Sequence, residues 1–396
     1  MKRNRKWNNR FLSILLSCFT VLSLAVSVHG SGRSDASAYT IIANQGLGYG
    51  LNKSNGSLEP MTKFAAERTM GIYISASKAE YEAYQRIGHK MTVEGNGEVR
   101  YFDAVGYDED AALIDFTSRD MEWKAGIYHL QTDIGGCRTE KTIEVKDMKA
   151  IRVLVVPIIS YYSGIIVNAV EVSDTLDDFS RKVFPLGEHD LEWICYPGVL
   201  NLSDRRYDLN TSTGRFRVWS HLQNLQSEKA AYDLIVGLVP QNMAAQKTEL
   251  VSVGDERISG FTYREPSMVV SMQGDSPAVT IAHEIGHCYE LGDEYPYGTV
   301  NPEKNMIPYG MNGRYMQNPV ETVTGDCIYV KGGAGNDRQG TGTLITQEQL
   351  SFDIDTGELI RRPVTSFMGL ADYEESEYWM TTDTWNTVYD ALVLTE

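Results

Sequence analysis

The sequence predicts a multidomain mixed α/β protein, β-rich first and α/β afterwards, and three observations predict it. Between residues 61 and 148, short runs of β-branched and aromatic residues alternate with turn residues. From residue 151, Ile151–Ile159 and Tyr232–Val239 are nearly continuous apolar runs, the pattern of strands buried on both faces. Between and after those runs the apolar period changes to that of helices. Strands alternating with helices imply a mostly parallel sheet covered by helices. The 396 residues are enough for two domains.

Taken in order, residues 1–30 read as a signal peptide. Lys2, Arg3, Arg5, Lys6 and Arg10 precede an apolar run from Phe11 to Val28, and small residues at 27–30 suit cleavage. A retained membrane anchor is the alternative. Export makes the expected location secreted or cell-surface/periplasmic. No second stretch is long and apolar enough to span a bilayer, so no membrane insertion is expected after signal removal. The net charge is −17, and these first residues hold no acid, so the remainder is more acidic still. That balance argues against nucleic acid or an anionic membrane as partner.

Residues 31–60, rich in Ser, Gly and Asn, read as a loose linker. Residues 61–148 read as a β module, with strands at Gly71–Ser75, Val99–Tyr107, Ala112–Thr117, Gly126–Thr132 and Thr139–Val145. The last two flank Gly135-Gly136 as a hairpin with alternating faces. This stretch resembles the closing strands of an immunoglobulin-like β-sandwich, which implies a positioning or tethering module. Whether residues 31–148 stay attached or form a removable pro-segment is open at this level.

Residues 150–396 read as the second domain. Helices are expected over Ser173–Val183 and Arg215–Gln226. Phe261–Met272 reads as a strand containing Pro266, which cannot donate to a ladder and so suggests an edge strand or a bulge. Residues 296–345 read as long loops. Asp326, Asp337, Asp353 and Asp355 are oxygen donors of the kind Ca2+ takes, but their spacing encodes no calcium loop, and solvated loop acids is the reading. Residues 378–393 read as a closing helix. Cys137, Cys195, Cys288 and Cys327 remain after signal removal and allow three pairings. A Cys288–Cys327 bridge would tie a helix to the following loop, and buried thiols are the alternative.

The chemistry concentrates in His283-Glu284-Ile285-Gly286-His287, in a chain with seven histidines. On a helix, His283 and His287 share one face and can offer two imidazoles to one metal ion. Glu284 projects beside that ion, as a general base acting on water requires. Ser276 is a candidate N-cap, Pro277 suits the first helical position, and Gly292 is placed to stop the helix. An ordinary amphipathic helix with two surface histidines is the plain alternative.

The run His283–Tyr295, HEIGHCYELGDEY, resembles the zinc site of metzincin-type metallopeptidases, nearest to the IgA-peptidase-like and immune-inhibitor-A-like families. That resemblance implies a metzincin-like mixed-sheet catalytic domain, one catalytic Zn2+, and an aspartate as third ligand, which falls on Asp293. Metzincins usually carry glycine three residues after the second histidine; this chain has Glu290 there and Gly292 just before the aspartate. No histidine follows His287, so a downstream third imidazole is excluded. Glu294 is the runner-up, and His189 and His221 remain open. Thr365-Ser366-Phe367-Met368 resembles the methionine turn beneath the zinc, with Met368 as its structural methionine. The tyrosine usual two residues later is Leu370 here, which leaves Tyr373 and Tyr295 as candidates to support the oxyanion. The strand before the zinc helix would border the cleft and pair with substrate backbone. The expectation is an exported zinc endopeptidase acting on peptide or protein substrates, with Glu284 as base. Its rival is an exported binding or adhesion protein with a structural zinc.

Overall fold

Two mainly antiparallel sheets occupy residues 41–146. One runs in the order β1 (Ile41–Asn44), β5 (Gly71–Ser75), β9 (Leu113–Asp115), β8 (Gly106–Asp108). The other runs β4 (Phe64–Ala65), β11 (Cys137–Lys146), β10 (Gly126–Ile134), β6 (Met91–Gly95), β7 (Glu98–Phe102). The computed structural model describes residues 39–395, apart from 53–56, 162–168, 229–230, 241–242, 245–256, 265, 273–276, 292–326, 330–342, 346–348, 361–363 and 369–376.

The hairpin expected at Gly135-Gly136 is present. Both glycines have positive φ, 60° and 80°, and Ile134 pairs with Cys137 across a two-residue turn. Tyr128, Leu130 and Ile143 bury one face of that hairpin in a core shared with Ile41, Ile72 and Ile114 of the first sheet. A helix not anticipated from the sequence, α1 (Lys78–Ile87), follows β5. Ser77 and Glu80 form its capping box, and Gly88 ends it at φ 73°.

The linker expected over 31–60 is not what its described part forms. Beside β1, the hairpin of β2 (Tyr49–Asn52) and β3 (Ser57–Pro60) occupies it, and Ile41, Ile42 and Ala43 are fully buried. The Gly and Asn residues there shape turns, while the short apolar run at 41–43 supplies the strand.

The second half is a mixed sheet in the order β13 (Leu191–Cys195), β12 (Ile151–Ser160), β15 (Leu234–Val239), β19 (Ser267–Ser271), β18 (Gly260–Arg264). A short β14 (Leu200–Leu202) continues along β12. All pairings are parallel except that of β18 with β19. The strand expected over Phe261–Met272 is therefore two strands. The chain reverses around Pro266, which sits in the turn, where its missing N–H is not needed. The edge position belongs to β18, while β19 is buried throughout.

Alternate residues of β12 and β15 face two different helix layers. Val153, Val155, Val236 and Leu238 share a core with α2 (Ala169–Val183), α4 (Pro277–Cys288) and α5 (Thr382–Leu392). Leu154, Val156 and Ile235 share another with Val218 and Leu222 of α3 (Ser212–Glu228). Short pairs complete the described part: β16 (Met243–Ala244) with β17 (Arg257–Ile258), and β22 (Phe352–Asp353) with β23 (Glu358–Leu359). A small sheet joins β20 (Cys327–Tyr329), β21 (Thr343–Ile345), β24 (Val364–Ser366) and β25 (Glu377–Trp379). The closing segment thus begins as a strand before its helix. The chain is a mixed α/β protein with five helices among its described residues. None of these is long and apolar enough to cross a membrane.

Candidate metal centre

Helix α4 carries the histidine pair. Pro277 opens it, and Ile281, Ala282, Ile285 and Cys288 bury its apolar side. Its end differs from the expected stop at Gly292. Glu290 takes the left-handed conformation at φ 66°. Its N–H donates to His287 O at 3.1 Å, and Leu291 N–H donates to Gly286 O at 3.0 Å. These are the two bonds of a Schellman cap. The reversal thus occurs three residues after His287, at the position where metzincins usually have glycine. Ser276 and Gly292 lie outside the described residues.

The cap has a chemical consequence. It brings the carbonyl of Leu291 to 2.8 Å from His287 Nδ1. The carbonyl of Phe367 lies 3.0 Å from His283 Nδ1. A ring whose Nδ1–H is donated to a carbonyl presents a lone pair at Nε2. The two Nε2 atoms meet at 3.0 Å, with the rings nearly perpendicular. Two lone pairs aimed at each other repel unless a cation lies between them. The spacing is near the roughly 3.3 Å that two nitrogens keep on one tetrahedral zinc with bonds of ~2.0–2.1 Å. On donor chemistry and orientation, the pair fits a zinc-type ion.

Two glycines let neighbouring groups approach this pair. A Cβ on Gly286 would lie 2.6 Å from Met368 Sδ, so the fully buried thioether packs directly on the helix backbone between the histidines. A Cβ on Gly260 of β18 would lie 2.8 Å from Glu284 Oε1 and 2.7 Å from Thr280 Cγ2. The edge strand therefore runs against the Glu284 carboxylate, and Glu284 is only 4 % exposed. Phe367, Gly260 and Gly286 were not singled out from the sequence. A glycine inside a helix costs about 1 kcal/mol relative to alanine, and that cost was the available signal for Gly286.

Asp293, Glu294, Tyr295 and Tyr373 lie outside the described residues. Among the described residues, no third His, Cys, Asp or Glu joins the pair. His221 packs on Tyr207 beside α3, His89 on Tyr84, and His129 bonds Thr142. Cys288 is buried; the side chain of Cys327 lies outside the described residues. Asp353 and Asp355 ion-pair with Lys182 at 3.5 and 3.2 Å, and Asp355 also with Arg181 at 3.4 Å. Asp326 and Asp337 lie outside the described residues.

No family model matches the chain, and no curated protein matches it. Among solved structures, 48% of the chain is similar to a chain in a structure described as that of a chaperone–substrate complex. The identity is 10%, the TM-score is 0.25, and the similar part spans 29% of that other chain.

Proposed function

We propose that the chain is an exported, zinc-dependent endopeptidase of metzincin type. The observation that carries the reading is the convergence of His283 Nε2 and His287 Nε2 at 3.0 Å, with both Nδ1 atoms on backbone carbonyls and Glu284 buried on the same helix. His283, His287 and Asp293 would hold the ion. When bound, zinc supplies Lewis acidity, lowering the pKa of water toward neutrality and polarising the scissile carbonyl. Glu284 takes the proton of the attacking water and returns it to the leaving amine. Its burial beside Gly260 keeps bulk water from competing for that proton. Tyr295 or Tyr373 would donate to the developing oxyanion. Met368 supports the helix from below, and the N-terminal sheets take the part of an immunoglobulin-like module. A structural zinc would need four protein ligands and no neighbouring base, so Glu284 favours the enzyme over an exported binding protein.

The test compares three proteins by zinc content and by digestion of a broad peptide library. Wild type should hold one zinc and cleave. Glu284→Gln should hold zinc and lose roughly 10²–10⁴-fold in rate. Asp293→Ala should lose zinc to a competing chelator, with Glu294→Ala milder. Zinc-loaded Glu284→Gln cutting at the wild-type rate would falsify the role of Glu284. Zinc retained by both carboxylate variants would move the third ligand elsewhere. Stoichiometric zinc without any cleavage would favour the binding protein.

A further inference from the structure

We propose that Trp379 is a positioning residue for His283: it ties Phe367, whose carbonyl orients that imidazole, to the N-terminal segment at Gly46. The proposal rests on the metallopeptidase reading for its consequence, and on geometry alone for its mechanism.

Phe367 directly follows β24, at the end of the parallel β24–β25 ladder that pairs Ser366 with Trp379, and its carbonyl is placed by whatever holds that ladder end and the Phe367 side chain. Two independent routes do so, and both begin in the N-terminal segment. In the first, Phe367 N–H donates to Trp379 O at 2.8 Å. The indole N–H of Trp379 in turn donates to Gly46 O at 2.9 Å, with Trp379 only 3 % exposed. The Met380 thioether packs directly on the Gly46 backbone, since a Cβ there would lie 2.6 Å from its Sδ. In the second, Arg68 reaches the C-terminal end of α2. Its guanidinium donates to Arg181 O and Lys182 O, each at 2.5 Å, and to Gln45 O at 3.0 Å. Helix α2 and the residue after it then present Phe179 and Phe184, whose rings stand edge-on to Phe367 at 6.3 and 5.6 Å. The side chain and the backbone N–H of Phe367 are both anchored to residues 45–68. A pro-segment removed on activation would take both anchors with it.

Trp379→Phe tests this in the full chain. A buried aromatic ring stays, while the indole N–H is lost together with part of the indole's volume. Gly46 O keeps its second donor, Phe352 N–H at 2.9 Å, so no buried carbonyl is stranded. Two readouts are taken. Co2+ alone serves as metal probe; the variant should bind it roughly 10–100-fold more weakly, the usual effect of losing an outer partner of a ligand histidine, and its visible absorption bands should shift. In the metal-free protein, long-range 1H–15N spectra of the His283 ring should lose the single Nδ1–H tautomer and show a mixture. Tyr84→Phe removes a buried hydrogen bond to Thr132 in the N-terminal sheets, far along the chain from this relay, and should leave both readouts unchanged. An unchanged His283 tautomer in Trp379→Phe overturns the proposal, and so does an equal change in Tyr84→Phe. Absence of cobalt binding by wild type would overturn the metallopeptidase reading instead, and the ring spectrum still decides the role of Trp379.

Discussion

Glu290 ends the helix of the histidine pair in a backbone region where a glutamate is strained. An L-residue there costs about 1–2 kcal/mol relative to the right-handed form, and glycine escapes that cost. The sequence pointed to Gly292 as the stop, because local preference alone puts glycine at the reversal. Tertiary bonding decides otherwise: Leu291 packs toward Gly286, and its carbonyl is needed at His287 Nδ1. The reversal must therefore come before Leu291, whatever residue occupies 290. Glu290→Gly should stabilise the protein by up to about 1 kcal/mol, offset partly by the greater freedom of glycine in the unfolded chain. Equilibrium denaturation measures it. A destabilised variant would mean that the Glu290 side chain contributes more than its backbone costs. The histidines and Glu284 were legible because their chemistry demands those residue types at that spacing. Phe367 was not, because it acts through a carbonyl that any residue could supply.

At the scale of elements, the buried strands β12 and β15 and the helices α2 and α3 were readable from apolar runs and periodicity. The turn at Pro266 was not, since an apolar stretch interrupted by one proline suits a bulged strand as well as a tight hairpin. The distinction matters for the site, because it makes β18 the edge strand and sets Gly260 against Glu284. Ser271 N–H donates to Ser259 O at 2.7 Å, which sets the alternation of the β18–β19 ladder. Gly260, opposite Val270, falls at the next position, where backbone groups turn away from the partner strand. An extended peptide adding to that edge would meet Gly260 beside Glu284. We expect a peptide-like inhibitor to lie antiparallel or parallel along β18, with hydrogen bonds to the Gly260 backbone. N-methylation of the inhibitor amide that pairs there should cost about 1–2 kcal/mol in affinity, roughly one good hydrogen bond and its desolvation. A crystal structure with the inhibitor on another surface, or no loss on methylation, would remove β18 from substrate recognition. Gly260→Ala adds an internal check: its methyl group must displace the Glu284 carboxylate, so turnover should fall while metal content holds.

For the molecule as a whole, the shared core was the least legible feature. Val145, Met148 and Ile151 lie on both sides of the expected boundary near residue 150 and bury into one cluster. A change of pattern along a chain marks a change of architecture, and it does not say whether the two parts keep separate cores. The same packing leaves Lys141 on β11 with its amine buried and without a hydrogen-bond partner, and burial pushes its pKa down to about 8. In the unfolded chain the amine titrates near its ordinary 10.5. Below pH 8 both states are charged, and the folded state bears the full cost of the buried charge. Between about 8 and 10.5 the unfolded state binds more protons, so stability rises with pH through that window. Tyr39 and Tyr389, raised to about 12 chiefly by burial, act oppositely above pH 10, where their contribution is lost as pH climbs. The Lys141 contribution is isolated by comparing Lys141→Met with wild type across pH, since the tyrosines affect both alike. The variant should be more stable at pH 7 by on the order of 1–3 kcal/mol, and the difference should shrink steadily from pH 8 to 10.5. A difference that stays flat across that range would mean that the amine reaches water or a partner in solution, and that the β11 edge is more open than its packing indicates.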